Sequence, residues 1–342
     1  MNQNERIKYY DLLKFLAILT IIILHACWES DVLFHGHKLS FYTQISHFGV
    51  PLFLMISGAL LLNRDIEIMS FLKKKTARLV YPLAFYVIFT TFVFSIYPNV
   101  ISGFWYAFMM VGIYLAIPIV NIFIKNAQMR EIEYFLVIFL LVSLFYEILL
   151  DYNIGTTLDL NFFMGPFSYL ILGYYLSRND LRKSLGLSSN VIILLGILIF
   201  IVSSLLKMYL GNYYGVYPNV EFISSKLDMS FIQVAQASAV FIICRYIYQD
   251  VRGIFKLCKR VLENNYVNHF IMSISRASYG MYLFHWFIVK LLRMYNVLPF
   301  KINTKQILVA DLALALVLFI GSWLVILLLN RIPILNRVSG YA

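Results

Sequence analysis

Residues 11–29, DLLKFLAILTIIILHACWE, form an apolar run that nonetheless contains Lys14 and His25. A run of this length can cross the ~30 Å hydrocarbon layer of a bilayer as a helix rising about 1.5 Å per residue. The lysine and histidine are eleven residues apart. At about 100° per residue that is about three turns plus roughly 20°, so both side chains share one face, about 16 Å apart along the axis. A charge deep in a membrane helix costs about 2.5–3.5 kcal/mol on insertion scales, so it usually faces a polar interior and marks a functional path. Each residue also has a purely structural reading. Lys14 can extend to the headgroups from one turn inside the helix, and His25, beside Cys27 and Trp28, can be an interfacial ring.

Composition sets the class. Hydrophobic residues make up 61% of the 342-residue chain and charged residues 13%, about half the charged share of a soluble domain. Two soluble domains would fit the length, but the apolar runs are too many and too long for them. A net charge of +11 invites a nucleic-acid reading. The basic residues sit between apolar spans instead of on one soluble face, so no nucleic-acid partner is expected; they read as topology signals and as a surface for anionic lipid. Cys27, Cys244 and Cys258 form no CxxC pair and no Cys/His cluster, so neither a metal site nor a disulfide framework is expected. The polar N-terminus runs straight into a full-length span, as a retained first helix does.

Ten candidate spans follow, near 11–29, 45–62, 79–97, 104–124, 133–150, 162–177, 190–210, 229–248, 277–295 and 306–329. No segment has the alternation of a membrane strand. The expected fold is therefore an all-α polytopic membrane protein with ten transmembrane helices, one membrane domain over residues 1–342. The sixth span is short and holds Gly165, Pro166 and Gly173, which predicts a broken or tilted helix. The eighth, with Gln233 and Gln236, is the least apolar and is expected inside the bundle. With the N-terminus in the cytoplasm, 20 basic residues fall inside and seven outside (Lys38, Lys207, Lys226, Lys290, Arg293, Lys301, Lys305). That asymmetry predicts both termini cytoplasmic. Residues 249–276, basic and partly apolar, are expected to form a cytoplasmic interfacial helix. The first outer loop carries Asp31, His35, His37 and His47, read as a solvated loop with incidental histidines.

The chain has no GxxxxGK[ST] loop, GxGxxG turn, GxSxG elbow or HExxH pair, which argues against ATP-driven transport, nucleotide-cofactor redox chemistry and zinc hydrolysis. Other features stand in order along it. Lys14-x10-His25 resembles the basic-x10-His signature of the acyltransferase-3 family of integral membrane acyltransferases. FGVPLFLMISGALLLNRD (48–65) is similar to that family's second-helix pattern, FLKKKTARLVYP (71–82) to its basic third-helix entry, and FWYAFMMVGIYLAIPIV (104–120) to its fourth span. SYLILGYYLSR (168–178) and ISRASYGMYLFH (274–285) complete the set across about 275 residues. Position 14 departs from the pattern, being Lys where many members have Arg; the charge is kept and the bidentate fork is lost.

The resemblance implies acyl transfer from acyl-CoA, most simply acetyl-CoA, to a sugar hydroxyl of a cell-surface glycan or its lipid-linked precursor, in the plasma membrane. A neutral hydroxyl is a poor nucleophile at pH 7, and an imidazole suits the role of its base. In family terms His25 is the catalytic base, and Lys14 positions the acyl-CoA or holds the surroundings of His25. Asp11, three residues before Lys14, is its candidate counter-charge. Arg78 with Lys73, Lys74 and Lys75 stands where a CoA diphosphate would arrive, a cluster equally read as plain positive-inside charge. Ser278, Tyr282 and His285 follow i, i+4, i+7 spacing and line one stripe, as substrate contacts or as backbone-satisfying and interface residues. Ser57 and Gly58 read as small-residue packing. Trp105 and Glu147 are candidates for flanking an outer acceptor cleft or anchoring the interface. Cys27 lies two residues from His25, so the two do not share a face; a covalent acyl-cysteine is disfavoured and a direct displacement is expected. The alternative from another class is a transporter or flippase that exports a glycan or its precursor without chemistry, since intramembrane charge also marks transport paths. A receptor or scaffold without turnover is a third. The sequence leaves the acyl group, the acceptor sugar and a homo-oligomer open.

Overall fold

In the computed structural model, residues 7–34, 41–94, 103–151, 163, 165–214, 231–295 and 307–341 are described, and these are helical throughout, with no strand among them. In chain order the helices are α1 (Lys8–Phe34), α2 (Phe41–Ser46), α3 (Gly49–Leu61), α4 (Ile68–Phe71), α5 (Ala77–Val93), α6 (Trp105–Asn126) and α7 (Met129–Asp151). Then follow α8 (Pro166–Arg178), α9 (Leu181–Leu185), α10 (Ser189–Tyr214), α11 (Phe231–Ile247), α12 (Ile254–Glu263), α13 (Asn265–Met294) and α14 (Ile307–Arg331). A π-helical turn, Leu72–Thr76, joins α4 to α5. The described part of each of the ten expected stretches is largely helical. Among the described residues, six stretches are long and apolar enough to cross a membrane: Lys8–Trp28, Tyr42–Leu61, Ile68–Val93, Trp105–Asn126, Ser189–Tyr209 and Val309–Arg331. The protein is thus an integral membrane protein. Helix α8, at 13 residues, rises only about 20 Å, as its Gly-Pro start at Gly165–Pro166 implied.

The chain divides into two compact units. The first holds residues 1–17, 47–62 and 123–272, and its centre is the crossing of α3 and α8. A Cβ on Gly58 would strike the backbone of Leu170, and one on Gly173 the backbone of Met55. The two glycines let the backbones touch, the device that gives membrane helices their packing energy. Ser57 donates to its own helix at the Phe53 carbonyl (2.9 Å), so Ser57 and Gly58 belong to packing. Helix α11 is buried along most of its length, Gln233 and Gln236 included. Gln233 Nε2 donates to the His47 carbonyl (2.5 Å) and Gln236 Nε2 to Ser204 Oγ (3.0 Å). Lys207, assigned above to the outer flank, is only 3% exposed on α10. His47, assigned to a solvated loop, lies at the break between α2 and α3 and presents its carbonyl to Gln233. His35 and His37 lie outside the described residues.

The second unit holds residues 18–46, 63–122 and 273–342. Here α13 meets α1 at His25, α5 at Leu79 and the C-terminal tail. The C-terminal tail closes on Gly280, whose N–H donates to the Gly340 carbonyl (3.2 Å), and a Cβ on Gly280 would strike the backbone of Ser339. The interfacial helix expected over 249–276 resolves into two elements. Helix α12 is separate, whereas residues 265–276 are the opening turns of α13; Asn264, extended at φ −58°, ψ 136°, breaks the two apart.

Candidate functional site

Helix α13 positions its polar side chains in sequence along one side, each tied to a different segment of the second unit. Tyr279 donates its hydroxyl to the Leu79 carbonyl (2.8 Å). One turn on, Tyr282 donates to the Gly103 carbonyl (3.1 Å) and packs edge-on against Tyr106, centroids 5.2 Å apart. His285, fully buried, meets His25 of α1, itself 5% exposed. Ser278 donates to the carbonyl of Ser275 (2.9 Å) and so satisfies its own helix.

The histidine pair has defined geometry. His25 Nδ1 and His285 Nε2 are 2.7 Å apart, with the rings 3° from parallel and their centroids 4.9 Å apart. The centroid separation exceeds the nitrogen separation by about two ring radii. The rings therefore lie edge to edge, and the hydrogen bond runs in line between them. On its other edge, His285 Nδ1 is 3.1 Å from the Met281 carbonyl. A carbonyl only accepts, so that nitrogen carries the proton of neutral His285, and Nε2 carries the lone pair. The shared proton then sits on His25 Nδ1. Neutral His25 is left with its lone pair on Nε2, the nitrogen that can take a proton. His285 thus does for His25 what an orienting residue does for a catalytic base: it fixes tautomer and ring plane.

Aromatic rings wall the pair. Trp28, one turn beyond His25 on α1, stands 5.5 Å away by ring centroids, and Trp286 stands 4.8 Å from the same ring. Gly103 lies against the indole of Trp286, where a Cβ would come within 3.1 Å of it. The indole Nε1 is buried and has no partner among the described residues. Neither Trp286 nor the Met281 carbonyl is among the sequence-expected residues. Trp286 follows His285 directly, and adjacent residues do not share a helix face, so the stripe rule passes over it.

The remaining expected residues fall elsewhere. Asp11 (buried) and Lys14 (half-buried) lie on the opening turns of α1, in the first unit. Lys73, Lys74 and Lys75 are exposed on the π-helical turn, and Arg78 is exposed on the first turn of α5. Leu79, beside Arg78, receives the hydroxyl of Tyr279, which links that basic entry to the helix bearing His285. Trp105, 48% exposed, is not brought into the aromatic wall; its neighbour Tyr106, 5% exposed, faces Tyr282 instead. The side chain of Glu147 lies outside the described residues. Cys27 is buried and lies off the His25 face. Among the described residues no three His, Cys, Asp or Glu side chains converge as metal ligands would.

An in-line histidine pair beside a buried indole suits proton abstraction from a hydroxyl. The sequence as a whole matches the family model described as an acyltransferase domain, acyltransferase-3, over residues 7–331. The chain belongs to the acyltransferase-3 family. The match covers all but the two ends, so every element of this acyltransferase-3 protein described above, both units included, lies within the family domain or at its edge. No curated protein matches the chain. No solved structure matches it. Membership makes the protein a membrane acyltransferase, working on an acyl donor and an acceptor.

Proposed function

We propose that this acyltransferase moves a short acyl group, most simply acetyl, from cytoplasmic acyl-CoA to a sugar hydroxyl on a cell-surface glycan or its lipid-linked precursor. The observation that carries the chemistry is the in-line bond between His25 and His285, because it leaves His25 Nε2 as the acceptor of the hydroxyl proton. The alcohol oxygen attacks the thioester carbonyl as Nε2 takes its proton; the tetrahedral intermediate collapses with CoA sulfur leaving, and the imidazolium returns the proton to the thiolate. Mass and charge balance without an acyl-enzyme. His25 as imidazolium keeps its Nδ1–H on the neutral His285 acceptor, so the charge is met by a fixed dipole.

Lys14 and Asp11 supply the donor side of this reading, with Lys14 as a point charge that positions the acyl-CoA at a phosphate and Asp11 fixing it. Arg78 and Lys73 to Lys75 are the candidate CoA diphosphate contacts. Ten spans with both termini in the cytoplasm, in the plasma membrane, complete the architecture, supported by the loop-charge asymmetry. The sugar acceptor rests on the sequence resemblance. The test is a comparison of surface-glycan masses in cells with and without the protein, beside transfer from labelled acetyl-CoA in membranes. A gain of one acyl unit that disappears in His25→Ala supports the proposal. Acylation that persists in His25→Ala removes it.

A further inference from the structure

Helix α12, IFKLCKRVLE, has three distinct sides. Phe255, Lys259 and Leu262 are half-buried, and Lys259 Nζ donates to the Gln249 carbonyl (3.0 Å); this side packs on the protein. Lys256 and Arg260 are exposed on a second side. On the third, Ile254, Leu257 and Val261 are 71, 59 and 53% exposed, and Cys258 is exposed with them. Steps of about 100° put those four side chains within an arc of about 100°. At the start of α13, Tyr266 is 88% exposed, and Phe270, 43% exposed, packs edge-on against Phe15.

A stripe of apolar side chains flanked by cations matches one kind of surface. Single exposed leucines are ordinary, but a contiguous apolar stripe with a basic border marks an interaction face. One side of a ten-residue helix falls well short of the ~800 Å² per partner that a stable protein interface buries. A lipid leaflet needs no such area, because acyl chains take the apolar arc and phosphates take the border. The α12 helix carries Lys256, Lys259 and Arg260 against Glu263, with Arg252 just before it, which favours anionic over zwitterionic headgroups. We propose that α12 lies in the interfacial layer of an anionic leaflet. Ile254, Leu257, Cys258 and Val261 sit among the acyl chains, and Arg252, Lys256 and Arg260 meet lipid phosphates.

The protein carries its own probe, because Cys258 is exposed while Cys27 and Cys244 are buried. The full chain, nitroxide-labelled at Cys258 and reconstituted in vesicles containing phosphatidylglycerol, is measured by power saturation against oxygen and a water-soluble nickel chelate. The expected result is oxygen accessibility several-fold above nickel accessibility, placing the label below the phosphates. The Lys256→Glu/Arg260→Glu variant, and the native chain in phosphatidylcholine alone, are each expected to lower that ratio several-fold. A label dominated by nickel collisions overturns the proposal, since α12 then faces water. A label reached by neither reagent also overturns it, since a protein partner or a second copy then covers the stripe. An unchanged ratio in both the charge-reversed chain and neutral vesicles removes the anionic headgroups from it.

Discussion

At the scale of single residues, the decisive feature is that His285 holds two acceptor–donor relations with opposite edges of one ring. Nδ1 gives a proton to the Met281 carbonyl and Nε2 receives one from His25. Removing either histidine therefore has different consequences. With His25 as the proposed base, acyl transfer in His25→Ala is expected to fall about 10²–10⁴-fold in kcat. His285→Ala leaves the base but frees its ring to adopt either tautomer, with a smaller loss in kcat at unchanged KM for acyl-CoA. His285→Gln can place an amide oxygen at the former Nε2 position, accept from His25 Nδ1, and recover part of that loss. Steady-state kinetics on the three variants check this ordering; equal losses in His285→Ala and His285→Gln would make His285 a packing residue only. Both histidines are legible in the sequence, each from the stripe it occupies. Their meeting is not, because 260 residues separate them and helical periodicity reports only which residues share a face, not which faces touch. The same limit hides Trp286, whose indole reaches His25 from a position that the i, i+4, i+7 stripe excludes.

At the scale of elements, two contacts expose what the helices depend on. The α3–α8 crossing rests on backbone contact at Gly58 and Gly173. Gly173→Ala puts a methyl where the Met55 backbone already stands, so the helices must separate; overpacking of this kind costs about 1–3 kcal/mol. Thermal unfolding in detergent should show a clear fall in Tm for Gly173→Ala. Gly112→Ala, with open space around its Cβ position, should show little change. The second contact starts the short helix α9. Asp180 caps it by accepting from the Arg182 N–H (3.2 Å), and the Arg182 side chain forks onto both carboxylate oxygens (Nε to Oδ1 3.0 Å, Nη2 to Oδ2 2.8 Å). Hydrogen bonds from Arg182 hold the Asp180 carboxyl down to about 2, against an ordinary 3.8 and against its partial burial. A carboxyl depressed in the folded chain stabilises above its unfolded value, and that stability is lost as pH falls from about 3.8 towards 2. The pair is partly exposed, so the contribution is about 1 kcal/mol or less. Melting curves from pH 7 to 2 should show a shallower acid-side decline in Asp180→Asn, already uncharged, than in the native chain. Helix existence is legible from apolar runs alone; the crossing glycines and the capping pair are not, because each needs a partner from another helix or a chosen rotamer. The boundary between α12 and α13 escapes for a related reason. One basic, partly apolar composition covers residues 249–276, and only the extended backbone at Asn264 divides it.

At the scale of the whole molecule, the distribution of charge along the chain implies a direction for the chemistry. Twenty basic residues lie in the segments assigned to the cytoplasm, and the exposed Lys73, Lys74, Lys75 and Arg78 are among them. His25 stands about three turns beyond Lys14 on α1, towards the opposite end of the first span. Acyl-CoA, a large polyanion, does not cross a bilayer unaided, because each charge brought into hydrocarbon costs several kcal/mol. If acyl-CoA binds on the basic side and His25 acts as the base, as proposed above, the reaction is vectorial: CoA is released where it entered, and the ester appears towards the other face. Sealed vesicles of the two orientations separate this from a symmetric enzyme. Labelled acetyl-CoA added outside inverted vesicles, whose cytoplasmic face is exposed, should label glycan at the full rate. Right-side-out vesicles given the same reagent should remain unlabelled until they are permeabilised. Equal labelling in both would place the donor site on either face at will, and with it the loop-charge orientation and the ordering of Lys14 before His25 would both have to be abandoned.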